Sequence, residues 1–282
     1  MANAGLGDAL KAIEYYEQGL RIDREIGYQR GEGTALGNLA SAYGALGDYH
    51  KDIEYHERAL KILQEIGDRL GESSCLGDVG TAYAALGDTR KAIEYYEQGL
   101  KIDLEIGNKR GECISLANIG DAFATLGDNR KAIAYGEHAL KIAREIEDRK
   151  SESTILGNLG IVYIALGDFQ KAIEYSEKDL VITREIGDRF GEGTAFGNLG
   201  NAYVKLGDAS KAIDYYEQAL KINHEIGNRP REGLNLGNLG NAYAILKDEK
   251  KARQFLGLAL KIFEVINSPY VDWARKKIDE LN

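Results

Sequence analysis

Residues 31–72, GEGTALGNLASAYGALGDYHKDIEYHERALKILQEIGDRLGE, decide the fold. Apolar side chains fall at Leu36, Leu39, Ala42, Tyr43 and Leu46, one stripe of an α-helix. Gly47 suits the left-handed residue that closes a helix, and the Asp48 carboxylate can accept the free N–H groups that open the next one. A second stripe runs Ile53, Tyr55, His56, Ala59, Leu60, Ile62, Leu63 and Ile66. Gly67 closes it, and Asp68-Arg69-Leu70-Gly71 reads as the turn into the next unit. One unit is therefore helix A, a tight Gly-Asp turn and a longer helix B.

The unit recurs every forty residues. Leu-Gly-Asp stands at 6–8, 46–48, 86–88, 126–128, 166–168 and 206–208, and survives as Leu246-Lys247-Asp248. The helix A aromatic is Tyr43, Tyr83, Phe123, Tyr163, Tyr203 and Tyr243, preceded by the apolar column Leu39, Val79, Ile119, Leu159, Leu199 and Leu239. Lys-Ala-Ile opens helix B at 11–13, 91–93, 131–133, 171–173 and 211–213; Asp52 and Arg253 break that motif and are expected to be weak points. A fixed period of this size marks a solenoid, in which each unit packs on its neighbours. No strand-type alternation is sustained, so the expected class is all-α. The boundaries are a leading half-repeat over 1–32 with helix B only, and helix pairs at 33–72, 73–112, 113–152, 153–192, 193–232 and 233–267. A capping helix follows at 268–282, where Ser268 can cap, Pro269 can occupy the first helical position, and Val271, Trp273 or Ala274, and Ile278 face the array.

Composition narrows the function. Lys and Arg number 36 against 45 Asp and Glu, a net charge of −9. Nucleic acid needs a basic surface and is disfavoured; basic partners are mildly favoured. No apolar run reaches the length of a membrane span. The N-terminus has no signal-peptide core, which makes the cytoplasm the expected compartment. Cys75 and Cys113 occupy different repeat positions and read as small, partly buried thiols.

In the fifth full repeat Leu199, Gly200, Tyr203, Gly207, Ala212, Tyr216 and Ala219 carry the tetratricopeptide-repeat motif, and the pattern recurs in register over nearly the whole chain. The chain resembles that family. Leu36, Leu76, Leu116 and Leu156 replace its signature tryptophan, and its proline after helix B is missing. The forty-residue form, with the phrase Leu-Gly-Asn-Leu-Gly-Asn-Ala-Tyr at 236–243, is similar to the Pins/LGN family of spindle-orientation adaptors. It is less close to kinesin light chains and rapsyn. The resemblance implies an α-solenoid coiled into a right-handed superhelix whose concave face, lined by helix A, binds an extended peptide. Positions where that subfamily carries a ligand-gripping arginine hold Thr34, Ser74, Ile114, Thr154, Thr194 and Leu234, which points away from an acidic ligand on that face.

The helix A face holds one row of Asn38, Asp78, Asn118, Asn158, Asn198 and Asn238. A second row holds Ser41, Thr81, Asp121, Ile161, Asn201 and Asn241. Residues three apart share a helix face, so Asn198/Asn201 and Asn238/Asn241 form paired amides. An Asn amide complements a peptide bond, and Asp78 and Asp121 would favour Lys or Arg on a ligand. Beside them run Gly37, Gly77, Gly157, Gly197 and Gly237. A helix-interior glycine costs ~1 kcal/mol against Ala, so this row needs a reason. Either a ligand backbone approaches here or successive A helices pack closely; the C-terminal half, with its paired amides, is the preferred patch.

No nucleophile–base set and no metal-ligand spacing emerges, and Gly31-Glu-Gly33 follows no strand, so no enzyme, cofactor or metal is expected. The expectation is a peptide-binding scaffold or adaptor. Two alternatives are self-assembly, with homodimers through the open helix at 8–26, and a ligand-sensing regulatory domain.

Overall fold

The computed structural model describes residues 2–281, with side chains from residue 9 onward. Two compact units divide it, Met1–Ile146 and Glu147–Asn282. The first contains α1 (Ala2–Glu25), α2 (Gln29–Ala45), α3 (Tyr49–Glu65), α4 (Arg69–Ala85), α5 (Thr89–Ile106), α6 (Lys109–Thr125) and α7 (Asn129–Glu145). The second contains α8 (Arg149–Leu166), α9 (Phe169–Glu185), α10 (Arg189–Leu206), α11 (Ala209–Glu225), α12 (Arg229–Ile245), α13 (Glu249–Val265) and α14 (Val271–Asp279). Among the described residues there is no strand. Even-numbered helices from α2 to α12 are the A helices; odd-numbered ones are the B helices.

The Gly-Asp signal works as its chemistry requires. Gly47, Gly87, Gly127, Gly167 and Gly207 sit at positive φ, and each following Asp accepts a backbone N–H in the first turn of helix B, as Asp48 does from Lys51. Glu147, Lys247 and Asn267 adopt the same left-handed conformation without being glycine. Helix A starts earlier than the sequence reading places it. Asp68, Asn108, Asp148, Asp188 and Asn228 cap it, so Arg69–Gly71 is its first turn and not a connector.

Each A–B pair is closed by an aromatic pair, Tyr43 on Tyr55, Tyr83 on Tyr95, Phe123 on Tyr135, Tyr163 on Tyr175, Tyr203 on Tyr215 and Tyr243 on Phe255, with centroids 5.1–5.5 Å apart. The lysine three residues after the capping Asp covers the helix A ring at 4.2–5.0 Å. This accounts for two tyrosine columns and for the conserved register of Lys-Ala-Ile. Leu39, Val79 and Ile119 in the first unit, and Leu159, Leu199 and Leu239 in the second, are wholly or almost wholly buried. Ion pairs tie helix A to its helix B: Arg69 bridges Glu72 and Glu105, Arg149 bridges Glu152 and Glu185, and Arg189 bridges Glu192 and Glu225.

Four expectations change. First, α1 runs straight through Leu6-Gly7-Asp8, where the sequence reading places a turn. Second, Asp52 is no weak point. It hydrogen-bonds His56 (2.6 Å), and Gly44 replaces the larger residue that would collide with its carboxylate. Third, Arg253 reaches across to the Leu281 carbonyl (2.5 Å) and ties α14 down. Fourth, α14 begins at Val271, with Ser268 Oγ accepting from Tyr270 N–H (3.3 Å) just ahead of it. Ala274 is fully buried there, and Trp273 lies on Gly237, whose missing side chain makes the room.

Candidate functional site

The predicted residues lie on the stripe of helix A that faces away from its own helix B, but the two units treat that stripe differently. In the first unit Asn38, Asp78 and Asp121 are exposed, and Asn118 is half-buried. In the second, Asn158, Asn201, Asn238 and Asn241 are half-buried, and Asn198 keeps only 6% of its surface. Asn201 Oδ1 accepts from Tyr216 Oη (2.8 Å) and from Asn238 Nδ2 (3.4 Å), while the Asn198 amide nitrogen, though buried, has no hydrogen-bond partner. Much of the paired-amide patch is thus occupied in holding helices together.

The glycine row divides too, though not cleanly by unit: at Gly197 in α10 a methyl would make only an ordinary 3.7 Å contact with Asn235. A methyl at Gly37 or Gly77 would meet open space, whereas one at Gly157 would lie 3.1 Å from Asp179 and one at Gly237 2.9 Å from Trp273. Close packing explains the glycines of α8 and α12. It does not explain those of α2 and α4.

The open stretch deepens into a cavity of about 320 Å³ between α4 and α6, above α5. Gly77, Asp78 and Thr81 line it from α4, and Asn118 from α6. At its base Asp103, 1% exposed, accepts from Ser73 Oγ (2.6 Å), Asn108 Nδ2 (2.8 Å) and Ser115 Oγ (3.4 Å). Two carboxylates, several hydroxyls and two amides therefore converge with no cation among the residues that line the cavity. Behind the rim, His56 Nε2 lies 3.5 Å from Asp78. Burial alone would lower the His56 pKa, but hydrogen bonds to Asp52 and Asp78 outweigh it and raise it to about 9. Cys75, whose Sγ donates to the His56 carbonyl, is pushed up to about 12 by burial and by the nearby acids, so its thiol stays protonated. Cys113 is a buried thiol as well, and its Sγ donates to the Ala139 carbonyl (3.4 Å).

The tetratricopeptide-repeat family model matches residues 31–105, 111–185, 151–225 and 191–264, and a second model of the same description matches 1–26. The chain is a tetratricopeptide-repeat protein. No curated protein is similar enough in sequence to count as a match. Among solved structures, this tetratricopeptide-repeat protein is similar to BtubC from P. vanneervenii, with TM-score 0.70, 23% identity, 78% of this chain and 92% of that one covered. It is similar to a signal-transduction ATPase with a tetratricopeptide-repeat sensor from Pyrococcus horikoshii, with TM-score 0.76 and 22% identity, spanning 96% of this chain but 42% of the other. A Rap protein complexed with Competence and Sporulation Factor has TM-score 0.64 and 16% identity over 99% and 96% of the two chains. At these identities the likeness speaks to fold alone. These matches do not show the Pins/LGN resemblance, which rests on repeat length and the phrase at 236–243.

Asp103, Ser73, Ser115 and Asn108 escaped the sequence reading. The repeat column offered no clear signal: the position of Asp103 is held elsewhere by Asp23, Leu63, Ala143, Thr183, Asn223 and Phe263, so a carboxylate there does not stand out. Among the described residues no group of three or more His, Cys, Asp or Glu is placed to hold a metal ion, and no helix is long and apolar enough to cross a membrane.

Proposed function

We propose that this tetratricopeptide-repeat protein is an interaction scaffold that binds an extended partner segment on its helix A face. In the first unit a lysine or arginine of that segment enters the cavity between α4 and α6. The observation that carries this reading is the cavity itself: acidic, hydroxyl-lined, and opening beside Gly77, which no packing contact requires. Asn38, Asn118 and Asp121 flank it and would hold main-chain amides and further basic groups. In the second unit Asn158, Asn238 and Asn241 offer the more accessible amides, and Asn198 and Asn201 support them. The Rap complex, a ligand-bound relative in fold, agrees with such use of the repeat.

The test is selection from a random peptide display library against the full chain, repeated with Gly77→Ala, Asn118→Ala and Asp78→Asn. Selected sequences should be rich in Lys or Arg and should bind the variants more weakly, with helicity unchanged for Gly77→Ala. Peptides without basic enrichment, or equal binding by all three variants, would overturn it.

One observation favours a second reading, self-association through α1. Leu10, Tyr15 and Ile22 on α1, and Ile26 just beyond it, are each at least half exposed, whereas every other B helix except α3 buries its counterpart of Ile22. Light scattering over a concentration range should show growth that Ile22→Glu abolishes; a strict monomer removes this reading.

A further inference from the structure

Helix α13 departs from every other B helix at four positions in register. Phe255 replaces the tyrosine of Tyr15, Tyr55, Tyr95, Tyr135, Tyr175 and Tyr215; Gly257 replaces a glutamate found in all six others. Leu258 stands where they carry Gln, Arg, His or Lys, and Val265 stands where they carry Glu. Every change removes polarity, yet Leu258 is 41% and Val265 76% exposed. Polar groups were thus lost from a surface and not from a core.

Two of the four, Phe255 and Leu258, line a cleft of about 630 Å³ between α11 and α13, floored by α12. Leu220, Leu236, Leu239, Phe255, Leu258 and Ile262 make its apolar lining, and no residue of α14 covers it. Lys221, Arg229 and Lys261 outnumber Glu217 and Glu232 around it, a locally positive rim on a chain of net charge −9. Glu232 is already held by Arg229 (2.6 Å) and His224 (3.2 Å). Arg229 is also short of a partner. Arg69, Arg149 and Arg189 each bridge two glutamates, the second 36 residues on; for Arg229 that second position is Val265.

We propose that this cleft docks a segment of a partner protein that places bulky apolar side chains beside a carboxylate. The apolar groups sit on Leu236, Leu239 and Leu258, and the carboxylate takes the place on Arg229 that a glutamate fills in the other repeats. Charged rims around apolar centres are how docking sites combine affinity with orientation. The site is on a different surface and in a different unit from the α4–α6 cavity, and its ligand has the opposite charge.

The probe is a short labelled helical peptide carrying paired phenylalanine and glutamate on one face, with a control in which lysine replaces the glutamates. Fluorescence anisotropy is read on the full chain and on the double variant Leu258→Gln/Val265→Glu, which restores residues the repeat itself uses and should keep its helicity. The glutamate peptide should bind, with the double variant weaker by roughly tenfold or more and Gly77→Ala unchanged. Should the double variant unfold, Lys261→Glu at the exposed rim serves the same test. No binding of the glutamate peptide, equal binding of the lysine control, or full affinity in the variants would overturn the proposal. So would self-association of the full chain that these variants abolish, since a second copy would then be the occupant.

Discussion

His56 sits between two carboxylates at a position where the other B helices carry neutral Tyr, Gly, Ser or Leu. Its pKa, raised from 6.5 to about 9, makes stability depend on pH. Below 6.5 the unfolded chain is protonated too and the contribution is fully present; it is lost as pH rises through about 9. A shift of this size is worth on the order of 3 kcal/mol. The urea midpoint should therefore fall between these pH values, and fall less in the triple variant Gly44→Ala/Asp52→Ala/His56→Tyr, which installs the residues of α4 and α5. Parallel pH profiles would show the network to be inert. Asp179 shows the opposite economy. Burial pushes its pKa to about 6 despite the Ser153 hydroxyl, so at neutral pH an ionised carboxylate is held in a poor environment. Asp179→Ala, the residue at 59, 139, 219 and 259, should stabilise the protein by ~1–3 kcal/mol at pH 7, read as a higher melting temperature. That gain should shrink below pH 6, where the carboxyl protonates.

At the scale of the helix, one row of glycines divides into two behaviours. Gly77→Ala adds a methyl to open space and should stabilise α4 by ~1 kcal/mol. Gly237→Ala drives a methyl into Trp273 and should destabilise by ~1–3 kcal/mol. Equal effects in a denaturant titration would mean that packing does not distinguish the two sites. Sequence periodicity was enough to read the helices, the Gly-Asp turns and the family, because those depend on local chemistry repeated in register. It could not separate Gly77 from Gly237, or an exposed Asn38 from a buried Asn198. The difference comes from how closely neighbouring helices approach, which is set by side chains forty residues away. The cavity base at Asp103 was hidden for the same reason: its partners Ser73 and Ser115 come from two different A helices.

Over the whole molecule, each helix within a unit packs on the helices adjacent to it in sequence. Stability in such a chain is close to a sum of local and nearest-neighbour terms, so opening is graded along the array. Hydrogen exchange should be slowest in the interior helices of each unit and fastest in α1 and α14. The same logic applies to the one tryptophan in the chain. Trp273 rests on the bare backbone of Gly237, so its indole emission is an optical gauge of a single joint, where α14 docks. Circular dichroism averages over every helix. As denaturant rises, the fluorescence midpoint should come first and the dichroic midpoint later; if the two curves coincide, α14 melts together with the rest. Nature has in effect placed one lamp at one end of the chain, and anyone following unfolding by its light alone would be watching that end come loose.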